Sequence, residues 1–323
     1  MTLDRRRFLE LAGGAALAPA LSHSAWAQGY PARPVQLVVP YPPGSGPDII
    51  GRLTAQHLSE RLGQQFIVEN RPGASTNIGT EYVAKAEPDG YTILLPVSTN
   101  AVNVALYRNL NFDFIRDIAP IAGIAKTPFI IVVPPSFPAA TLSEFTAYLK
   151  GNPNKVNVAS NGIGSSPHVC AELFQLMTGT KMVHVPYRGN YMPDLLAGQV
   201  QVVFAPIAQA LPLIRDGKLR ALGATTAQRA TAMPDIPAIG ESLKGYDGFG
   251  WYGLGAPAKT PREIIKKLSD ATNEALSNPM INERFSQLGV DPMPLTAAAF
   301  AKHIAEEVDK WGKVISAQGI EVN

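Results

Sequence analysis

The sequence predicts an α/β protein with two lobes. Three observations predict it. Strand-like and helix-like segments alternate along the chain. The alternation runs through two separate rounds. The chain crosses between them twice, through Pro128 and again near Gly248–Gly255, with no low-complexity linker at either crossing. Two crossings imply a discontinuous domain, 28–128 plus 250–323, around an inserted domain, 129–249. Each lobe is then a mixed or parallel sheet flanked by helices. The loops after the strand C-termini would line the cleft, where open α/β sheets bind ligands.

The elements follow in order. Val35-Gln36-Leu37-Val38-Val39 is a short apolar run and reads as a buried strand. After the turn 40–46, a helix starts near Pro47-Asp48, with Ile49, Ile50, Leu53, Ala55 and Leu58 at helical spacing. Phe66-Ile67-Val68-Glu69 is the next strand, and Asn77 caps a helix through Ala86. Pro88-Asp89-Gly90 then turns into the strand 91–95. This βαβαβ unit predicts a right-handed parallel sheet. The second round opens with Phe129–Val133 as a strand, then helix 142–150 and strand 156–159. A glycine-serine loop leads to helix 168–178, and strand 182–185 follows. Helix 192–197, strand 200–204, helix 207–216 and strand 219–222 complete the round. Helices near 261–277, 279–288 and 296–317 close the chain.

Residues 1–27 read as an export signal rather than part of the fold. Arg5-Arg6-Arg7-Phe8-Leu9 supplies a positive start with a twin-arginine pattern, and an apolar stretch to Leu21 follows. Ala25-Trp26-Ala27 is a small-x-small cleavage site before Gln28. The mature protein is expected outside the cytoplasm, with no membrane insertion. Its single cysteine, Cys170, is interior, so neither an internal disulfide nor a lipid-anchored first cysteine is expected.

Composition removes several classes. Hydrophobic residues make up 46% of the 323-residue chain and net charge is only +2, which excludes global disorder. Near-balanced charge argues against nucleic acid as a partner. No apolar run of about 20 residues follows the N-terminus, so the body is not expected to span a membrane. No P-loop occurs, and Pro167 stands where a dinucleotide loop needs its third glycine. His57, His168, His184 and His303 lack metal-ligand spacing. Neither a cofactor nor a metal is expected.

Two loops carry the chemistry. The first is Pro40-Tyr41-Pro42-Pro43-Gly44-Ser45-Gly46-Pro47-Asp48. The second is Ala159-Ser160-Asn161-Gly162-Ile163-Gly164-Ser165-Ser166-Pro167-His168. Each follows a strand and precedes a helix. Glycine lets backbone approach a ligand, and free N–H groups at a helix start favour an anion. Ser45, Ser165 and Ser166 add hydroxyl donors. Ordinary capped strand–helix turns explain the same pattern. Ser98-Thr99-Asn100 follows the third strand and reaches toward the cleft. A hydrolase with Ser165 or Ser45 as nucleophile and His168 as base is the alternative from another class. It has no G-x-S-x-G elbow and no third orienting group.

The chain resembles the Bug-type solute-binding proteins of tripartite tricarboxylate transporters. The matching stretches are Val38–Tyr41 with Gly44–Asp48, Val68–Ala74, Asn77–Gly79, Pro88–Leu94, Leu106-Tyr107 with Leu110, His184–Gly189 and Asp194–Val200. The resemblance implies a periplasmic-binding-protein, or Venus flytrap, fold and no enzymatic activity. It implies a small carboxylate held by loops 41–48 and 160–168 and delivered to membrane permease subunits. A sensor in place of the permease is the other use of such a receptor. The ligand-binding candidates are Tyr41, Gly44, Ser45, Gly46, Asp48, Ser98, Ser160, Asn161, Gly164, Ser165, Ser166, His168 and Tyr187. Thr225 and Asp194 join Ser98 and Tyr187 as candidates for reading the solute's far end. Two departures from the family pattern stand out: Tyr41 with Pro42-Pro43 in the first loop, and a shortened Asn190-Tyr191-Met192-Pro193 after Gly189.

Overall fold

The computed structural model describes residues 29–187 and 189–322, so the export signal lies outside the described residues. The first round begins with β1 (Val35–Val39), α1 (Gly46–Leu62) and β2 (Phe66–Asn70). It continues through a 3-10 turn (Ala74–Thr76), α2 (Asn77–Ala84), β3 (Thr92–Leu94) and α3 (Ser98–Leu106). After α4 (Phe114–Asp117) comes β4 (Ile118–Val133), the longest strand. The second round is α5 (Leu142–Gly151), β5 (Asn157–Ser160), α6 (Ser166–Thr178), β6 (Val183–Pro186), α7 (Met192–Leu196), β7 (Val202–Pro206), α8 (Ile207–Arg215) and β8 (Arg220–Ala224). The chain closes with α9 (Ile239–Ser242), β9 (Phe249–Pro257), α10 (Arg262–Ala275), α11 (Pro279–Gln287), β10 (Asp291–Leu295) and α12 (Ala297–Gln318).

The architecture is α/β with a curled mixed sheet in order β2-β1-β3-β9-β4-β7-β5-β6, with β8 and β10 also paired to β4. β1 lies parallel between β2 and β3, and β5 lies parallel between β6 and β7. Strands β4 and β9 run antiparallel to their neighbours and join the two parallel sets. Along β4 the partners change at one point. Ile118–Pro128 pairs with β9, whereas Phe129–Val132 pairs with β7. Proline has no N–H to give a ladder, which suits Pro128 to the place where partners change.

Each parallel set is buried under its own helices. Val35, Leu37, Val39, Ile93 and Leu95 pack with Ile50, Leu58, Ile264 and Leu268 of α1 and α10. Val158, Val202 and Phe204 pack with Val169, Phe174 and Phe145 of α6 and α5. Helix α12 serves both: Phe300 and Ile304 join a cluster with Trp251 and Val38, while Trp311, Val314 and Ile315 join the α6 cluster. Between them Glu307 is buried, accepting hydrogen bonds from Trp251 Nε1 (3.1 Å) and Trp311 Nε1 (2.8 Å) and paired with Lys310.

Several expectations shift. Asn77 does not cap its helix; it is the first helical residue, and Thr76 precedes it in a left-handed conformation (φ 80°). That helix ends at Ala84, not Ala86. The strand expected from Phe129 starts eleven residues earlier, because β9 and β10 supply ladder partners that local composition does not reveal. Helix α3, strands β9 and β10 and the short helix α4 were not expected as elements.

Candidate functional site

β1 and β5 are interior strands, so the loops that leave them emerge in the middle of their parallel sets. From Gly44 and Gly164 onward the two loops adopt one conformation. Gly44 has φ 78° and Gly164 has φ 76°, a left-handed region that glycine enters without steric cost. Ser45 N–H reaches Pro42 O at 3.3 Å, and Ser165 N–H reaches Gly162 O at 3.2 Å. Each serine hydroxyl donates to the same carbonyl at 2.7 Å. Each helix then starts with a proline in its first turn and a main-chain bond back to the serine carbonyl at 3.0 Å, from Ile49 N–H or Val169 N–H.

The glycine N–H of each loop turns inward to the side chain four residues on. Gly44 N–H donates to Asp48 Oδ2 at 2.9 Å, and Gly164 N–H donates to His168 Nδ1 at 3.1 Å. Each acceptor is braced by the next turn of its own helix. Asp48 takes Arg52 Nε at 3.0 Å and Asn70 Nδ2 at 2.8 Å, and His168 Nε2 lies 3.5 Å from Glu172. Burial alone would raise the Asp48 pKa, but the bonds from Arg52, Gly44 N–H and Asn70 hold it below the usual carboxylate value.

Four of the expected contact side chains, Asp48, His168, Ser160 and Tyr187, make hydrogen bonds within the protein. Asp48 and His168 are 3% and 4% exposed, and their polar atoms hold the loops. Ser160 is fully buried; its Oγ accepts Gly162 N–H at 3.1 Å and lies 2.6 Å from His184 Nε2. Tyr187 OH donates to Asp194 Oδ2 at 2.6 Å, which ties up both residues. Burial and the His168 ring push the His184 pKa down to about 3. The hydroxyls of Ser45 and Ser165 donate within their own loops, so they are not spare donors. Thr225 is fully buried and bonds the Phe129 backbone, so it locks β4 instead of reading a solute.

The main-chain N–H groups are left over. Neither Ser45 nor Ser165 caps its helix with its side chain. Among the described residues, Gly46 and Asp48 N–H at α1, and Ser166 and His168 N–H at α6, have no protein acceptor. Helix α3 adds a third start, with Ser98 and Thr99 N–H likewise unpaired. α3 also touches both loops. Tyr41 OH lies 3.3 Å from Thr99 Oγ1, and Ser98 Oγ lies 2.7 Å from Ser166 Oγ. A Cβ placed at Gly164 would overlap Leu106 at the far end of α3. Tyr252 OH stands beside Gly46, and burial pushes the phenols of Tyr41 and Tyr252 upward, so both stay protonated. Neutral donors and helix dipoles gathered in this way suit an anion.

Beside Asn161 opens a cavity of about 460 Å³, lined by Asn161, Gly189, Asn190, Tyr191, Met192 and Gln209. Tyr191 OH donates to Gln209 Oε1 at 3.1 Å. The lining is amide, phenol and thioether. Among the described residues, no cluster of three or more His, Cys, Asp or Glu could hold a metal ion. The serine–histidine geometry of a hydrolase is not formed: Ser165 faces Gly162 O and His168 faces Gly164 N–H. The pair that does touch, Ser160 and His184, is occupied with the loop backbone.

A family model described as the tripartite tricarboxylate transporter family receptor matches residues 50–320. The chain belongs to that receptor family. The protein BugT of Bordetella pertussis is 35% identical over 303 residues, 92% of each chain. A Rhodopseudomonas palustris protein solved with adipate superposes with a TM-score of 0.81 at 33% identity, covering 90% of this chain and 99% of that one. MatC of the same organism, solved with bound malate, gives 0.76 at 31% identity, covering 88% and 100%. The fold of this receptor is the two-lobed periplasmic-binding-protein fold, and its activity is solute binding rather than catalysis.

Sequence reasoning missed Arg52, Glu172, His184, Gln209 and Tyr252. For Arg52 and Glu172 a signal existed: each stands four residues after the loop's inward acceptor, on the same helix face. Nothing local marks His184, Gln209 or Tyr252, which arrive from other strands and helices.

Proposed function

We propose that this receptor works in the periplasm, capturing a small organic carboxylate in the cleft between a lobe of 28–128 plus 250–323 and a lobe of 129–249, and hands it to the permease subunits of its transporter. Residues 1–27 direct export, by a twin-arginine route, with cleavage after Ala27. One observation carries the reading. Helices α1 and α6 begin in the same loop conformation with unpaired N–H groups, and α3 touches both loops. Such a site takes a carboxylate without a counter-cation, and closure strengthens it by excluding water. The adipate and malate complexes of family members support a carboxylate as solute. The solute's far end lies toward the chamber of Asn161, Asn190, Tyr191, Met192 and Gln209.

The test is a thermal-shift and calorimetric screen of the mature chain, Gln28 to Asn323, against mono-, di-, tri- and aromatic carboxylates. A ligand at 100 times its Kd stabilises by about 2.7 kcal/mol. Variants Ser166→Ala and Ser166→Pro then separate hydroxyl from main chain. Proline suits a first helical position but deletes the N–H. A charge-assisted hydrogen bond of about 1.5–3 kcal/mol makes S166P at least tenfold weaker than S166A for the best hit. Equal affinities would remove the main-chain site. No stabilising carboxylate, with none retained in the purified protein by mass spectrometry, would overturn the carboxylate assignment.

A further inference from the structure

The two ligand loops are built alike except at the group that holds them. In the first, the acceptor of the glycine N–H is a carboxylate, Asp48, neutralised by Arg52. In the second it is an imidazole nitrogen, His168 Nδ1. An imidazole nitrogen accepts only while it carries no proton, so the bond defines the tautomer: bare Nδ1 toward Gly164, with the Nε2 proton toward Glu172. The same loop has a second tie of the same kind. Gly162 N–H is held by Ser160 Oγ, and Ser160 Oγ is hydrogen-bonded to His184 Nε2. The two imidazoles stack at 3.7 Å between centroids and 18° between planes. Like charges at that separation repel strongly in a half-buried setting, so the stack accommodates one charge at most.

We propose that His168 and the His184 ring stacked on it form a proton-sensitive positioning pair for the second ligand loop. The neutral pair holds Gly162 and Gly164 so that Ser165 and Ser166 present the start of α6 to the cleft. Protonation of His168 places an N–H against the Gly164 N–H, and two donors cannot share that bond. Gly164 must then leave its position, where the space beside Leu106 of α3 would not admit even a Cβ. The titratable groups facing the pair are Glu172 on α6 and each histidine toward the other. The α3 face against this loop presents uncharged groups, Ser98 and Leu106, and from α12 Gln318 donates to the Glu172 backbone carbonyl. The first loop has no such switch, since Asp48 stays ionised through the same range. Protonation of His168 therefore takes away one wall of the anion site while the other stays formed.

The inference rests on the carboxylate-receptor reading for affinity, but its structural arm needs no ligand. The mature chain, ¹⁵N-labelled, is followed by NMR from pH 8 to pH 5. The expected result is an Nε2–H tautomer for His168 at pH 8, with the Gly162 and Gly164 amides shifting along the His168 titration and Gly44 unmoved. A Gly164 amide indifferent to His168, or an Nδ1–H tautomer, overturns the proposal. In the second arm, adipate affinity is measured at pH 7.5 and 5.5 for the wild type and for His168→Asn, which keeps a non-titrating acceptor. Titration of adipate itself is common to both proteins. The wild type is expected to lose at least tenfold more affinity than H168N, each relative to its own value at pH 7.5. Parallel losses overturn the proposal. If adipate does not bind, the receptor reading is at fault for that solute, and the NMR arm still decides the role of the histidines.

Discussion

The paired loops allow one prediction in which each glycine controls for the other. Gly44 and Gly164 share a left-handed backbone, at φ 78° and 76°, so alanine at either position meets the same conformational penalty. That penalty is about 1–2 kcal/mol. The surroundings differ. A Cβ at Gly44 meets nothing within 4 Å, whereas one at Gly164 overlaps Leu106 Cδ2 and lies 3.7 Å from Val102 Cγ1. Overpacking of this kind adds about 1–3 kcal/mol. Gly44→Ala is therefore expected to destabilise the mature chain by about 1–2 kcal/mol, and Gly164→Ala by about 2–5 kcal/mol. Urea unfolding at pH 7.5 reads both, with unchanged slopes required before midpoints are compared. Leu106→Ala supplies the cycle: with Cδ2 gone, G164A should recover about 1–2 kcal/mol relative to the sum of the single variants. Equal losses for the two glycines, together with no coupling to Leu106, would refute the claim that the second loop is pressed against α3.

Asp48→Ala leaves Arg52, Asn70 and Gly44 N–H without their shared acceptor and should lower stability by about 2–4 kcal/mol in the same assay. A drop below 1 kcal/mol would mean that the carboxylate does not organise the loop. Because the Asp48 pKa is depressed in the folded state, its contribution is present above 3.8 and disappears as pH falls through the lower folded value. For His184 the direction of loss is the same but the window is higher. Its folded pKa of about 3 lies below the unfolded 6.5, so the folded state binds fewer protons between them and stability falls as pH drops below 6.5. His184→Asn should flatten the stability profile between pH 6.5 and 4, and an unchanged profile would count against a buried neutral ring. Glu307→Ala strands two buried indole N–H groups, while the partly exposed Lys310 keeps its bond to the Asp247 carbonyl, and should lower stability by about 2–4 kcal/mol, read by tryptophan fluorescence in guanidinium.

Much of the fold was legible because burial on both faces writes itself into composition. Val35–Val39 reads as a strand because a parallel interior strand has no solvent face on which to place polar residues. The loops were legible as a pair because the strand–Gly-Ser–Pro order needs few residue types. β4 was read only in its second half. Its first half carries Pro120, Gly123, Lys126 and Pro128, and becomes a strand because β9 and β10 flank it. Helix α3, with Ser98, Thr99, Asn100 and Asn103 among its nine residues, has little intrinsic reason to be helical. Asn100 and Asn103 instead bond Thr76 of the 3-10 turn and Thr80 and Asn77 of α2.

Sequence alone determined the class of protein: the alternating grammar, the two crossings and the two glycine-serine loops are local features, set by residue type and spacing. Which atoms of those loops remain free was decided by tertiary structure. The side chains that looked like ligand contacts, Ser45, Asp48, Ser165 and His168, bond inside the loops, and the N–H groups that spacing cannot single out are what remain. The reason is geometric. A left-handed glycine turns its own N–H inward to the helix it precedes, and whether that N–H meets a carboxylate or an imidazole, and what then stacks on the imidazole, depends on strands far away in the chain, as His184 on β6 shows.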